Sequence, residues 1–208
     1  MHPIRAFLVA LPAALVAAAG QASAFEVERS VARYSDRRFH YELEVELDAP
    51  LEQVLSVLQD YESYPSLDER ILEARVLERP EEHVAMLKTL LRVCFGFFCR
   101  NVSRIERVEE SPDSLVAIAD PERSDVEFGE TRTALSESED GGTLVRYSTT
   151  IIPGFWVPRF VGRRWLLRTL EEATRDLFMN VEREAKEVEE GQGGGIATSG
   201  NAGATTEP

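Results

Sequence analysis

A long amphipathic segment that follows a run of strand-like segments is the feature that most constrains the fold of this chain. From about Gly162 to Glu190, apolar residues recur at the spacing of one helix face. They are Leu166, Leu170, Ala173, Leu177, Phe178, Val181, Ala185 and Val188. A helix of this length must bury its apolar stripe, and a sheet built from the preceding strands provides a surface for it.

Six segments with strand character lie between residues 71 and 152, and turn residues separate them. They are Ile71–Arg79, His83–Cys94, Phe98–Glu110, Leu115–Ala119, Phe128–Ser138 and Thr143–Ile152. Asp140-Gly141-Gly142, before the last of them, is a strong hairpin signal. Because hairpins join consecutive strands in opposite directions, the six segments predict an antiparallel sheet.

One further strand and two short helices precede this run. Residues His40–Leu47 alternate between apolar side chains and glutamates, which predicts a strand with one buried face. Apolar residues at helical spacing predict a helix over Leu51–Tyr61, and a second short helix follows to about Arg70. The sequence therefore predicts an α+β fold. In it, a curved antiparallel sheet of about seven strands wraps on a long C-terminal helix, with two short helices after the first strand.

The two ends of the chain differ from the part between them. Residues 1–24 combine a basic start at Arg5, an apolar run and an A-x-A ending, as in a cleavable secretory signal peptide. An uncleaved anchor is the alternative, but the run is shorter than the roughly 20 residues that span a bilayer. Residues 191–208 have almost no bulky apolar side chain, which predicts a disordered tail. We therefore expect an exported protein, periplasmic or secreted, with one domain over residues 25–190.

Charge and motif content exclude several classes of function. The chain has 37 acidic and 23 basic residues and a net charge of −14, which argues against nucleic-acid binding because phosphate contacts need Lys and Arg. After the predicted signal peptide only His40 and His83 remain as histidines, and the sequence has no metal-ligand spacing, phosphate loop or dinucleotide fingerprint. We therefore predict no metal, no cofactor and no catalytic residues, although carboxylates, Arg or Tyr in a pocket can still perform acid–base chemistry.

The two cysteines of the chain, Cys94 and Cys99, enclose Phe-Gly-Phe-Phe at the predicted turn between two strands. Outside the cytoplasm a pair at this spacing is able to form a disulfide across a hairpin tip. Two reduced, buried thiols are the alternative. A metal site is disfavoured because no His and no second Cys pair lies nearby.

The stretch around the first helix resembles a known superfamily. Asp48–Val54, read Asp-Ala-Pro-Leu-Glu-Gln-Val, and Leu58–Pro65, read Leu-Gln-Asp-Tyr-Glu-Ser-Tyr-Pro, are similar to the opening motif of the START-like SRPBCC superfamily. Asp120–Gly129 and the Pro153–Pro158 break look like exported bacterial members of the coenzyme Q-binding/polyketide cyclase type. The resemblance implies a helix-grip fold with a mostly apolar pocket between sheet and long helix. Across the superfamily this pocket holds lipids, quinones, sterols or polyketides, and only some members catalyse a reaction.

The segment 155–168 is a local inversion of charge in an acidic chain. It places four arginines beside aromatic residues that include Phe155, Trp156 and Trp165. These aromatics are candidate ligand contacts at a pocket mouth that touches a membrane surface, because Trp favours the interface and Arg favours anionic lipid. In the alternative, the aromatics belong to the core and the arginines pair with surface glutamates.

Five further side chains are candidate ligand contacts, namely Tyr61, Tyr64, Arg92, Arg123 and Asp125. The two tyrosines either line the pocket or close the core. Arg123 and Asp125 either orient a ligand or pair with each other in a loop. Arg92, together with Lys88, either faces inward, where a buried cation needs an anionic partner, or faces solvent.

Three functions fit these observations. We expect a carrier that binds a lipid-like or quinone-like apolar molecule, held by apolar burial and by a few polar groups. An enzyme of the cyclase/aromatase type is the second possibility, which two or more inward-facing ionisable groups would favour. An accessory or interaction protein whose own side chains fill the pocket is the third.

Overall fold

The computed structural model describes residues 25–95, 98–155 and 163–193. Its strands form one antiparallel sheet in the order β1-β2-β8-β7-β6-β5-β4-β3. The strands are β1 Glu26–Ser35, β2 Arg38–Leu47, β3 Ile71–Glu81, β4 Val84–Phe95, β5 Phe98–Ser111, β6 Ser114–Ala119, β7 Val126–Glu137 and β8 Thr143–Pro153. The predicted signal peptide, residues 1–24, lies outside the described residues, as does the predicted tail from residue 194 onward.

In the part of the chain that the structure describes, three α-helices complete the fold. Helix α1, Leu51–Gln59, is followed by a one-turn 3-10 helix, Tyr61–Ser63, and by the short helix α2, Tyr64–Leu67. The long helix α3, Arg163–Gly193, packs against α1, α2, β1 and β2. The predicted fold class is confirmed. Helix α3 ends at Gly193, so the first residues of the predicted tail are helical.

Strand β1 is absent from the sequence-based prediction, and two local features explain why. Its segment does not alternate cleanly between apolar and polar residues, and its register against β2 shifts between Val27 and Arg29. The turn that joins it to β2 has positive φ at both central residues, 50° at Asp36 and 65° at Arg37. Such turns usually carry Asn-Gly or Asp-Gly, so Asp-Arg gives no hairpin signal.

The core lies between the first half of the sheet and α3. The inward side chains of β2 are almost completely buried, as its alternation predicts, and those of Phe178 and Val181 on α3 pack with them. The β2 residues are Tyr41, Leu43, Val45 and Leu47. A second cluster of Ala85, Leu87 and Val108 packs under Tyr61 on the other half of the sheet. The residues of the two clusters show which face of each central strand points to the interior.

Replacing Gly142 by Ala should destabilise the fold by about 2–3 kcal/mol. A Cβ at this position would lie 2.3 Å from the backbone oxygen of Leu47, which has to move. At Gly141 the same change meets no atom within 4 Å but is strained by a φ of 85°, so it should cost less, about 1–2 kcal/mol. Equilibrium urea unfolding of both variants tests the order, and equal losses would contradict it.

Candidate functional site

The centre of the inner sheet face carries small side chains. Ala117 on β6 lies opposite Thr131 on β7 and packs against the buried Val108 of β5, which places both residues on the inner face. Nearby, a Cβ on Gly129 would lie only 2.9 Å from the Cβ of Ala119. Ala117 and Thr131 are inward-facing yet only half-buried. The inner face is therefore partly accessible at these two positions.

A charged pair stands on this same inner face. On β5, residues of even number point inward with the buried Val102 and Val108, and these include Arg104 and Glu106. Arg104 donates from Nη2 to the Glu106 carboxylate. The side chains are only 18% and 4% exposed, so the pair is removed from bulk solvent. Replacing a buried ion pair by apolar side chains of equal size is often neutral or stabilising, so stability alone does not explain why this pair is buried.

The electrostatics of the pair keep the arginine charged. Burial acts to lower the pKa of Arg104, but the charge and the hydrogen bond of Glu106 outweigh it, and the pKa of the guanidinium is raised. Its Nε has no hydrogen-bond partner among the described residues, although the atom is buried. The same is true of the hydroxyl of Thr89, which lies directly opposite Arg104 on β4. We call Thr89, Arg104, Glu106 and Tyr147 the interior polar cluster.

Tyr147 enters the cluster from β8. Its ring contacts Phe178 of α3 edge-on, with 5.5 Å between the ring centroids. Burial raises the pKa of its hydroxyl, while the charge of Arg104 and the hydroxyls of Thr149 and Thr131 act in the opposite direction. Tyr147 is therefore a neutral phenol at physiological pH, close enough to Arg104 for the two to interact.

The predicted contacts Tyr61 and Tyr64 both lie on the interior side. Tyr61 is buried and donates to Glu110 Oε1 over 2.7 Å, and Arg79 Nη1 donates to the same oxygen. Tyr64 donates to the backbone oxygen of Leu58 over 2.7 Å. Burial raises the pKa of both hydroxyls, and Glu110 adds to the effect at Tyr61. Both hydroxyls therefore bond to the protein itself, and both rings pack with Ala85, Leu87 and Val108.

We expect four of the five tyrosines not to ionise in the folded protein near pH 10, because burial raises the pKa of Tyr41, Tyr61, Tyr64 and Tyr147. The unfolded chain ionises them at about pH 10. Their contribution to stability is therefore complete below that pH and is lost as the pH rises above it. Ultraviolet difference titration tests this, and phenolate signal from several tyrosines before any loss of circular dichroism would contradict it.

Arg92 does not reach the interior. The register of β4 and β5 has no bulge, and Arg92 shares the face of Lys88, opposite to that of the inward Leu87 and Thr89. Arg92 is exposed, and Lys88 lies 3.4 Å from Glu73 on the same outer face. The suggestion that Arg92 binds a ligand inside the domain is therefore replaced by the outward alternative.

Arg123 and Asp125 do not pair with each other. Asp125 accepts from the backbone N of Ser103 over 2.8 Å and lies 3.9 Å from Arg100 Nη2, while the Arg123 side chain is exposed. The backbone of Asp125 also bonds to Ser103, so the residue fastens the β6–β7 loop to β5. This geometry supports a structural role for Asp125 and leaves Arg123 on the surface.

The predicted pocket mouth is described only in part. Phe155 packs at the end of the inner face with Val102 and Val126, and Arg100 lies over its ring at 4.4 Å. Trp156 lies outside the described residues, and of Trp165 only the helical backbone is described. Between residues 163 and 193 and in the rest of the described chain, no helix is long and apolar enough to cross a membrane.

Cys94 and Cys99 lie directly opposite each other near the tip of the β4–β5 hairpin, and a disulfide joins them. The bond closes a short loop next to Arg100, the residue that contacts both Asp125 and Phe155. The described residues contain no cluster of His, Cys, Asp or Glu that would hold a metal ion.

The interior polar cluster is absent from the sequence-based predictions, although β5 carries a signal for it. A strand with one buried face normally keeps its charges on the other face. In β5 charges fall on both faces, at Arg104 and Glu106 and again at Arg107 and Glu109. One set must therefore be buried. Thr89 and Tyr147 have no comparable signal, because both residue types are common in ordinary strands.

Comparisons with known proteins agree with this architecture. No family model matches the chain, and no curated protein matches it. Among solved structures, the Zhui aromatase/cyclase from Streptomyces sp. R1128 superposes with a TM-score of 0.60 at 16% identity, over 72% of this chain and 94% of that one. A STAR-related lipid transfer protein from Xanthomonas axonopodis gives 0.59 at 15% identity, over 78% and 98%. A START superfamily protein from Mycobacterium smegmatis gives 0.55 at 18% identity, over 72% and 98%.

These proteins superpose on this chain at identities well below those that transfer function. The chain has the helix-grip fold of the START-like proteins.

Proposed function

We propose that this chain is an exported binding protein that holds a lipid-like or quinone-like apolar molecule between the inner sheet face and α3. The observation that carries the proposal is the partly accessible inner face at Ala117 and Thr131, next to the buried polar groups of Arg104 and Glu106. An apolar body gains about 25 cal/mol for each Å² of its surface that is buried, and a few polar groups then fix its orientation. Solved structures of the same fold include a lipid transfer protein.

A substitution that fills the interior tests the proposal. Ala117→Phe places a large ring on the inner face of β6, and Val116→Phe places the same ring on the outer face of that strand. We expect Ala117→Phe to weaken binding of a quinone or lipid panel at least about tenfold and Val116→Phe to leave it unchanged. Native mass spectrometry of the protein from its own organism supplies the ligand. A protein that is purified empty and binds nothing in the panel would refute the proposal.

The export part of the proposal rests on residues 1–24, whose pattern is that of a cleaved signal peptide. The Cys94–Cys99 disulfide is consistent with an oxidising compartment. Mass spectrometry of the mature chain, after fractionation of the cells, should find it outside the cytoplasm and beginning at or near Phe25. A chain that retains Met1–Ala24 in the cytoplasm would contradict export.

A cyclase/aromatase-type enzyme is the second candidate, because the interior holds several ionisable side chains in contact range. Glu106 is buried beside Arg104, and Tyr147 is a neutral phenol nearby, a set that is able to donate and accept protons. The Zhui protein of the same fold is an aromatase/cyclase. A bound polyketide-like molecule that changes mass in the wild type but not in Glu106→Gln would establish the enzyme. If both proteins release the bound molecule with its mass unchanged, the result would support the carrier.

Transient contact with a membrane surface through residues 155–168 extends the proposal. The segment carries Trp156 and Trp165 among four arginines, and each basic residue near anionic lipid contributes about 1 kcal/mol. Vesicles with anionic lipid should sediment the wild type and not the double variant Trp156→Ala/Trp165→Ala. Equal sedimentation of a folded double variant would remove this contact from the proposal.

A further inference from the structure

We infer that the interior polar cluster selects a neutral ligand and that it does so by hydrogen bonding to a carbonyl oxygen of that ligand. The inference rests on the proposed binding function and names the chemistry that the site recognises. Its basis is the pair of unpartnered polar atoms, Arg104 Nε and Thr89 Oγ1, on facing positions of two neighbouring strands.

The first step concerns the cost of these atoms. A buried donor without an acceptor loses the hydrogen bonds it makes with water, and such groups are rare in folded proteins. Here two of them lie side by side, since Thr89 and Arg104 are direct cross-strand partners on the inner face. Thr89 is 6% exposed, so bulk solvent does not satisfy its hydroxyl. An acceptor held between the two would satisfy both.

The second step concerns the charge of the ligand. Arg104 is a cation, but its charge is already balanced by Glu106, to which it donates. An anionic head group placed at Arg104 Nε would lie beside the Glu106 carboxylate, and like charges repel strongly where little water screens them. The free donor is therefore available to a neutral acceptor and not to a carboxylate or phosphate.

The third step concerns the kind of acceptor. The guanidinium N–H only donates, and the hydroxyl of Thr89 is free to donate as well. A carbonyl oxygen has two lone pairs and accepts both bonds at once. The small residues around it, Ala119 and Gly129 among them, leave the neighbouring surface apolar for the body of the ligand. A ketone, quinone or ester with an apolar chain meets all three requirements.

Displacement of the neutral fluorescent probe N-phenyl-1-naphthylamine by three molecules of equal chain length tests the inference. They are 2-dodecanone, dodecane and dodecanoate. We expect 2-dodecanone to bind about tenfold more tightly than the other two. A ketone that binds no better than the alkane, or dodecanoate that binds as tightly as the ketone, would overturn the inference while the proposed function stands. Failure of the probe and of all three molecules to bind would instead refute the proposed function.

Two substitutions locate the effect in the cluster. Thr89→Val removes the unpartnered hydroxyl at nearly equal volume, so it should lower ketone affinity about five- to tenfold while the unfolding midpoint stays or rises. Arg104→Lys keeps the pairing charge for Glu106 but removes Nε–H, and should lower ketone affinity to a similar extent. Thr133→Val, the same change on the inner face of β7, is the control and should leave ketone affinity unchanged. Unaltered ketone affinity in both Thr89→Val and Arg104→Lys would overturn the inference.

Discussion

Replacing Arg104 by Met should destabilise the folded protein by about 3–5 kcal/mol, because the change leaves the Glu106 carboxylate buried without its partner. The chain contains its own control on the same strand. Arg107 and Glu109 have the same spacing and also form an ion pair, but they stand on the outer face with side chains 43% and 50% exposed. Arg107→Met should therefore cost at most about 1 kcal/mol.

A double variant separates the effect of the pair on stability from its effect on ligand binding. Arg104→Met combined with Glu106→Leu replaces the buried pair with apolar side chains, which in other buried pairs is neutral or stabilising by about 1–4 kcal/mol. We expect the double variant to recover most of the stability that the single variant loses. Its ligand affinity should not recover with it, since the donor at Arg104 Nε is gone.

Guanidinium unfolding, monitored by circular dichroism, measures the free energy of unfolding of the wild type, the two single variants and the double variant. The m-value checks for two-state behaviour. A loss of less than about 1 kcal/mol in Arg104→Met would mean that solvent screens the pair as it screens Arg107 and Glu109. A double variant as unstable as Arg104→Met would show that the pair itself stabilises the fold. In that case its burial would need no functional explanation.

The comparison of Arg104 with Arg107 also shows how far the sequence alone determines this structure. Alternation in β2 and the 3.6-residue period of α3 each reflect one buried face, and both elements form as the pattern predicts. The fold class follows from these patterns and from hairpin turns. It needs no knowledge of which polar groups meet in the interior.

Two features escape such patterns for physical reasons. Strand β1 depends on a turn with left-handed conformations at Asp36 and Arg37, a pair of residues that gives no hairpin signal. The interior polar cluster depends on register, since a shift by one residue in β5 would turn Arg104 and Glu106 outward and Arg107 inward. Propensity does not distinguish these two registers, whereas the packing of Val102 and Val108 does. Site residues on strands are therefore harder to predict than the strands themselves.

Replacing Phe178 by Ala should destabilise the protein by about 3–5 kcal/mol, the usual range for a buried Phe in a core. Phe178 is 1% exposed and contacts the ring of Tyr147 edge-on, so it joins α3 directly to the side of the interior where the polar cluster lies. Polar contacts also hold the helix: Arg70 Nη2 donates to Asp176 over 3.1 Å, and Asn180 Nδ2 donates to the backbone oxygen of Leu67 over 2.7 Å.

The neighbouring residue provides the control for this change. Met179 follows Phe178 in the same helix turn but is 44% exposed, and Met179→Ala should change the free energy of unfolding by no more than about 0.5 kcal/mol. Urea unfolding of both variants measures the difference, and equal losses would contradict the packing of α3 on the sheet. Because the lost ring also frees Tyr147, Phe178→Ala should release a bound apolar molecule faster than Met179→Ala does. An unchanged release rate in a destabilised Phe178→Ala protein would mean that the ligand does not lie under this part of α3.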